Sequence, residues 1–428
     1  MKLALLGCDE EALDLVRCAV LECGHSLTAA YDLGKWQEDV RRLAPWVTLA
    51  ESWEALLLGG VEAVIVARGQ FDDSRQSGVS ANTRRCDQLR KLVQAGVPLL
   101  VCHPACESII GLELEMIRRD TGGVIFPFLP GCEHPAISAL QKLLAAPAEE
   151  GLGAIEQIVL ERCLVDRSRP AVLAQFARDA AILQTLLGSI KKLSASGPVG
   201  EAGRDPLGPK TKSLPSLANL NVHLSGERDF PARWTVEPAE GQADGRLLIS
   251  GTAGKATLRM PAGSRPWSLE LAGPRQQSIT YDGWSEPNQA LYQLATAITA
   301  RSAQTISWLA ACRAQEIAES IDRSLERGRA VDFFGEQPTE EGAFKGLMAI
   351  GGCLMLAMML AGVLAAAAVE LLDLPFRNFA LWRSGWPVCI LAPVLFFLLL
   401  QGLQLVIRRD GAPSQDAASP ESAAKPPK

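Results

Sequence analysis

The amino-acid sequence predicts an α/β domain with a parallel, doubly wound sheet, then an α+β domain with an open antiparallel sheet, then a two-helix transmembrane hairpin. Three observations carry this. Over residues 1–131, short apolar runs ending near Gly alternate with stretches of helical periodicity, the pattern of a parallel sheet covered on both faces. From about residue 217, strand-like runs separated by turn residues follow one another, which implies antiparallel pairing. Residues 346–369 and 386–407 contain no charged side chain, and each is long enough to cross ~30 Å of hydrocarbon as a helix.

Leu3 to Leu6 read as a first buried strand ending at Gly7. Leu13, Val16 and Val20 recur at helical spacing, and Gly24 is placed to stop that helix. A second strand, Ser26 to Tyr31, ends at Asp32, and a short helix, Ser52 to Leu58, stops at Gly59-Gly60. Val61 to Ala67, Pro98 to Cys102 and Gly123 to Phe128 are further strands, alternating with helices at Thr83 to Ala95 and Glu107 to Arg119. The second domain, residues 132–335, opens with a helix from Pro135 to Leu144, a strand from Ile155 to Leu164 and a helix from Val172 to Leu187. Ser194 to Ser216 is rich in Gly, Pro and Ser and reads as an exposed loop. Six strands follow between Leu217 and Tyr281, then one or two helices from Asn288 to Arg327, in which Leu309, Cys312, Ile317, Ile321 and Leu325 would line a buried stripe. Residues 408–428 hold Ala, Pro, Ser and a few charges, a composition that buries no core, and read as a disordered tail.

Composition narrows the function. The chain has 428 residues, 48% apolar and 21% charged, which excludes general disorder. A net charge of −6 gives no global attraction for nucleic acid, so no nucleic-acid partner is expected. Four His residues exclude a His-rich metal enzyme, and Cys102, His103 and Cys106 lack a standard zinc spacing, so no metal site is assigned. Eleven Cys without a CxxC pair read as reduced, mostly buried thiols. Four apolar residues followed at once by Asp9, Glu10 and Glu11 make the N-terminus a buried strand rather than a signal peptide.

A strand, a Gly, a helix, a second strand and an acid form the outline of a dinucleotide-binding Rossmann unit. Gly7 fills the tight turn, Ala12 the small position for helix–strand packing, and Asp32 the place that meets ribose hydroxyls. The middle position, where backbone approaches the pyrophosphate, holds Asp9. Asp9, Glu10 and Glu11 stabilise the helix dipole themselves and repel a phosphate. Ordinary NAD or NADP binding and its loss are both open at this point, as is Asp32 as a plain turn residue.

Over residues 1–335 the chain resembles the Gfo/Idh/MocA family, the glucose–fructose oxidoreductase and inositol dehydrogenase group. Gly96-Val97-Pro98-Leu99-Leu100-Val101-Cys102-His103-Pro104 is similar to the run that leads to the family's Glu-Lys-Pro signature. Pro104 is kept, Cys102 stands for the Glu and His103 for the Lys. Gly151-Leu152-Gly153-Ala154-Ile155 looks like the family's entry to the second domain, and Ile249-Ser250-Gly251-Thr252-Ala253-Gly254 like one of its sheet turns. The segment from Ser307-Trp308 to Gly328-Arg329 is similar to the family's last helix. Spacing from Leu186-Leu187-Gly188 puts Arg178 at the family's His position and Ala181 at the following Asp place. The resemblance implies a Rossmann domain plus a sheet domain, an NAD or NADP cofactor, and a polyol, sugar or related metabolite as substrate. It implies cofactor contacts at Gly7, Ala12, Asp32 and Pro104, His103 as a candidate proton donor, and self-association through the open sheet's uncovered apolar face. Glu107, four residues after His103, is spaced to orient it from a helix, and a surface pair with no role is the favoured alternative. The replaced positions also allow a binding or scaffold protein that has lost hydride chemistry. His134, before Pro135 near the expected cleft mouth, reads as a capping residue.

The two apolar spans are joined by residues 370–385, short enough to force antiparallel helices. Arg377 and Arg383 lie in that loop, whereas Arg327, Arg329, Lys345, Arg408, Arg409, Lys425 and Lys428 flank the outer ends. By the positive-inside rule both termini and the soluble domains face the cytoplasm, with the lipid bilayer of the cytoplasmic membrane as a partner.

Overall fold

A computed structural model describes residues 1–58, 60–68, 81–147, 151–197 and 217–333, apart from 218, 229, 240, 242, 264, 274–275 and 301–306. It also describes helical pieces at 359–364, 367–368 and 371. Residues 1–335 form one compact unit and residues 336–428 another.

The first sheet carries the strands β1 (Lys2–Leu6), β2 (Ser26–Tyr31), β3 (Thr48–Leu49), β4 (Ala63–Val66), β5 (Leu99–Cys102) and β6 (Ile125–Phe128), all parallel, in the order β3-β2-β1-β4-β5-β6. The helices α1 (Glu10–Arg17), α2 (Gln37–Leu43), α3 (Ala55–Leu58), α4 (Ala81–Gln94) and α5 (Ser108–Thr121) connect them. The apolar runs are buried on both faces: Leu3, Leu5, Ile65 and Leu100 belong to one core, and Ala4, Leu6, Val64, Val66 and Val101 to the other. Strand order reverses between β1 and β4, so the carboxyl ends of these two strands open the crevice where doubly wound folds take ligands.

The second domain begins with α6 (Pro135–Ala145), β7 (Ile155–Leu164), α7 (Arg169–Leu187), β8 (Ile190–Ser196), β9 (Asn221–Gly226), β10 (Pro231–Pro238) and β11 (Asp244–Gly251). It continues through β12 (Lys255–Pro261), β13 (Trp267–Ala272), β14 (Gln277–Tyr281), α8 (Glu286–Ala300), α9 (Trp308–Arg327) and β15 (Val331–Asp332). Nine strands make one sheet, β14-β13-β12-β11-β7-β10-β9-β8-β15. The sheet is mixed rather than purely antiparallel, because β7 and β10 run parallel at its centre. The helix α7 carries the chain back across the sheet after β7, the crossover that parallel neighbours need. Part of the expected loop is also strand: β8 pairs with β9, and its Ile190 and Leu193 are buried while Lys191 and Lys192 are exposed.

Two glycine motifs meet at one corner. Gly153 has φ +78, and a Cβ there would lie 2.4 Å from Thr252 Oγ1. The Ala253 amide donates to the Leu152 carbonyl (2.9 Å) and the Ala154 amide to Thr252 Oγ1 (3.0 Å), closing the turn after β11 onto the entry to β7.

Ile158, Leu160, Leu247, Ile249, Ala256 and Leu258 face α7 and α9. The alternate residues form the other face, and there the expectation of an apolar surface fails. Apart from Val159, Leu248 and the smaller Cys163, Ala272, Pro231 and Pro261, this face is polar among the described residues, with cross-strand pairs between Arg246 and Glu161 (2.6 Å) and between Arg259 and Glu270 (3.7 Å). Ion pairing and polar side chains let it stay in water. The stripe expected on the last helix is present and broader: Cys312, Ile317 and Ile321 are buried together with Trp308, Ala311, Ala314 and Ala318, Leu325 packs against the core, and Leu309 is half-buried.

The spans expected at 346–369 and 386–407 lie outside the described residues except for the short helical pieces. Among the described residues no helix is long and apolar enough to cross a membrane.

Candidate functional site

The turn after β1 has the geometry its sequence demands. Gly7 has φ +73 and its amide donates to the Tyr31 carbonyl at 2.8 Å. Ala12 is fully buried in the core beneath α1, as close helix–strand packing requires. Asp32, with φ +61, is the only non-glycine residue with positive φ among the described residues; aspartate tolerates that region because its short side chain bonds locally.

What lies against this turn was not visible in sequence. Asp9 caps α1, its Oδ1 accepting the Ala12 amide at 2.8 Å. Its Oδ2 accepts from the Arg68 amide at 3.1 Å and from Arg68 Nε at 3.2 Å. Arg68 also pairs with Glu11 (3.4 Å), and Glu11 pairs closely with Arg178 of α7. From α4, Arg85 lays its guanidinium on Gly7, where a Cβ would lie 2.5 Å from Nη2, and the same nitrogen donates to Asp32 Oδ2 at 3.0 Å. The N-terminus of α1 and the end of β2 therefore have charged partners from within the chain.

His103 and Pro104 follow β5, joined by a cis peptide bond, and His103 is only 3% exposed. Burial pushes the imidazole pKa down to about 3, helped by the Arg178 and Arg68 charges, so the ring is neutral. Among the described residues no hydrogen bond joins His103 to Glu107, and His103 Nε2 is buried without a partner. Glu11 Oε2 and Arg178 Nε are likewise buried and unpartnered. Arg178, at the position the resemblance singled out, does reach the cleft through Glu11, so His103, Arg178 and the α1 acids share one site. Burial opposes the Arg68 charge, but Glu11 and Asp9 hold its pKa above the ordinary value. Burial outweighs Asp32 and Asp9 at Arg85 and draws its pKa down.

His134 caps α6, its Nδ1 accepting the Ala136 amide at 3.1 Å, as a capping residue should. It stacks on Trp267 (3.9 Å between centroids) and meets Trp284 edge-on at 5.7 Å. Burial lowers its pKa to about 4. Beside it Glu286, the first residue of α8, is pushed up to about 7, chiefly by burial. Neither Trp284 nor Glu286 was singled out from sequence, because they join the cleft through folding of segments more than a hundred residues away. Among the described residues no group of His, Cys, Asp and Glu could hold a metal ion.

A doubly wound sheet joined to a large mixed sheet, with a cleft at the carboxyl ends of β1, β4 and β5, is a fold shared with solved oxidoreductase structures. Solved structures of that type match the chain. UDP-N-acetylglucosamine 3-dehydrogenase from Acidithiobacillus ferrooxidans is 16% identical, covering 76% of this chain and 98% of its own, with a TM-score of 0.59. An oxidoreductase from Agrobacterium radiobacter, solved with NAD+, L-tartaric acid and magnesium, is 14% identical over 78% of this chain and 98% of its own, with a TM-score of 0.58. Biliverdin reductase from Synechocystis, solved with biliverdin and NADP+, is 13% identical over 76% and 99%, with a TM-score of 0.57. At these identities the likeness shows the fold. No family model matches the chain, and no curated protein does.

Proposed function

We propose that this chain is an oxidoreductase homologue of the Gfo/Idh/MocA type whose dinucleotide place is closed by its own side chains, and whose cleft binds a small molecule at a membrane without hydride transfer. The observation that carries this is Asp9. Its carboxylate caps the α1 amide at Ala12 and holds Arg68, so a negative charge stands where a pyrophosphate would need a free, positive helix end. Arg85 covers Gly7 and neutralises Asp32, which takes the backbone approach and the ribose partner together. The residues present do not fit a bound dinucleotide in this arrangement. A carboxylate against a phosphate costs on the order of 1 kcal/mol or more at short range even when well screened.

The fold favours a second reading, an NAD- or NADP-dependent enzyme with His103 as proton donor. The low pKa of His103 speaks against it, because a neutral imidazole whose Nε2 has no hydrogen-bond partner is poorly matched to proton transfer near neutral pH. Titration of the full-length protein with NADH and NADPH separates the readings. Absence of binding supports closure, and micromolar binding with turnover of a polyol or sugar abolished by His103→Ala overturns it.

The two charge-free spans and the seven-to-two bias of basic residues support a hairpin at 346–407 in the cytoplasmic membrane, with both termini inside. Leu360, Val363, Leu364 and Leu371, in the described helical pieces, are exposed, as a lipid-facing surface would be. Reporter fusions after residues 342 and 410 should both read cytoplasmic, and a cytoplasmic reading from the 376–384 loop would sink this topology. Homo-oligomerisation remains part of the reading on the resemblance alone, because the polar, ion-paired sheet face needs no burial.

A further inference from the structure

We propose that the hollow between the end of β6 and the start of α8 binds a small organic ammonium ligand that also carries an oxygen acceptor. This deepens the reading of the cleft as a ligand site and rests on it. The hollow is open to solvent, its non-atom space of about 310 Å³ running out into the mouth, and Phe126, Phe128, Glu133, His134, Trp284 and Glu286 are among its lining residues. Two carboxyls face it and, among the described residues, no Lys or Arg does.

Among the described residues neither Glu133 nor Glu286 has an ion pair. The cations nearest Glu286 already have carboxylates: Arg162 is bidentate on Asp179, and Arg178 is paired with Glu11. Glu286 receives a backbone N–H from Gly131 and feels Glu11 as a repelling charge. Glu133 has Gln293 as its polar neighbour, and its Oε1 is buried without a partner. Burial raises the pKa of both carboxyls, the direction expected where a cation is missing.

The remaining polar group is a donor. Trp284 Nε1 is buried and unpartnered, and a ligand oxygen would satisfy it. His134 accepts on Nδ1, which leaves its proton on Nε2, and its ring packs edge-on against Trp284 and fixes that indole. An anion would be repelled by two carboxyls, and a wholly apolar ligand would leave Trp284 Nε1 and Glu133 Oε1 unsatisfied. An ammonium group between carboxyls and aromatic faces gains from both, through charge and through the ring quadrupole.

The test uses full-length protein and three probes: choline, ethanolamine, and 3,3-dimethylbutan-1-ol, which has the shape of choline without its charge. At pH 8 choline or ethanolamine should bind at least about tenfold tighter than the neutral alcohol. The preference should shrink at pH 6, as Glu286 takes up a proton, and Glu286→Gln should remove that pH dependence. Glu133→Gln should weaken ammonium binding without removing the pH dependence. Equal binding of charged and neutral probes, no ammonium binding below ~10 mM, or a preference unaltered by both substitutions overturns the proposal. Should either variant fail to fold, the pH dependence in unmodified protein still decides. Dinucleotide titration of the same protein is independent of this result, so a failure here leaves the closure of the Rossmann site separately judged.

Discussion

Arg178 and Asp179 are consecutive residues of α7, yet the networks they enter differ in kind. Asp179 is fully buried and satisfied: Arg162 Nε donates to both its oxygens (2.9 and 3.1 Å), Trp234 Nε1 donates at 2.8 Å and Gln175 Nε2 at 3.1 Å. Arg178 looks the other way, toward Glu11, and there Arg178 Nε, Glu11 Oε2 and His103 Nε2 are all left without partners. A buried polar network that is complete stiffens a core, whereas one with open donors and acceptors is where a ligand or water completes the structure. The sheet side of α7 is scaffold and the cleft side is site.

Four substitutions can break or sharpen that contrast. The largest effect is expected from Asp179→Ala, which leaves Arg162 buried without its carboxylate and should cost about 3–5 kcal/mol in urea unfolding. A loss below ~1 kcal/mol would erase the distinction. Next is Glu286→Gln. Glu286 has a folded pKa of about 7, above its unfolded value, so its neutral form is favoured on folding. Its contribution is fully present below the unfolded pKa and is lost as pH rises through about 7. Glu286→Gln should therefore be more stable than the parent at pH 8, by about 1–3 kcal/mol, and equal to it below the ordinary glutamate range. Equal stabilities at pH 8 would mean that the carboxyl is not desolvated.

His103 titrates the other way. Its folded pKa is depressed to about 3, so its contribution is present above the unfolded value near 6.5 and is lost as pH falls toward 3. His103→Asn should flatten the acid limb of the stability curve by roughly 1 kcal/mol per pH unit, provided the fold tolerates it. His134 depends on pH in the same direction, so an unchanged limb in His103→Asn would assign the effect to His134. The smallest effect belongs to Arg178→Gln, expected to cost under ~1.5 kcal/mol, because Arg68 still pairs with Glu11. A loss as large as that of Asp179→Ala would make the cleft network structural after all.

Much of the fold was legible. The β1 run, Gly7, Ala12 and the alternation through β6 follow from local pattern, and Asp9 was legible as a capping acid because capping acts within four residues. The parallel pairing of β7 with β10 was not, since it joins segments about seventy residues apart and depends on the crossover by α7. β8 was missed because Lys191 and Lys192 break its apolar pattern on an otherwise paired strand. The site was legible only where chemistry is local. His103 and Arg178 were found through a resemblance, but their meeting through Glu11 and Arg68 was not. Arg85 reaches Gly7 from 78 positions away along the chain (85 against 7). An arginine on an amphipathic helix carries no mark of where its guanidinium will come to rest.

Whether the chain's own charges occupy the dinucleotide place decides between the two functional readings. Fluorescence titration of NADH and NADPH into full-length parent protein and the Asp9→Gly/Arg85→Ala double variant tests this directly. The first change frees the α1 N-terminus, and the second uncovers Gly7 and releases Asp32. The parent should show no binding below ~1 mM, and the double variant should gain at least about tenfold. Micromolar binding by the parent, unchanged or weakened in the double variant, would contradict the account, with Asp9 and Arg85 then serving the cofactor instead of replacing it.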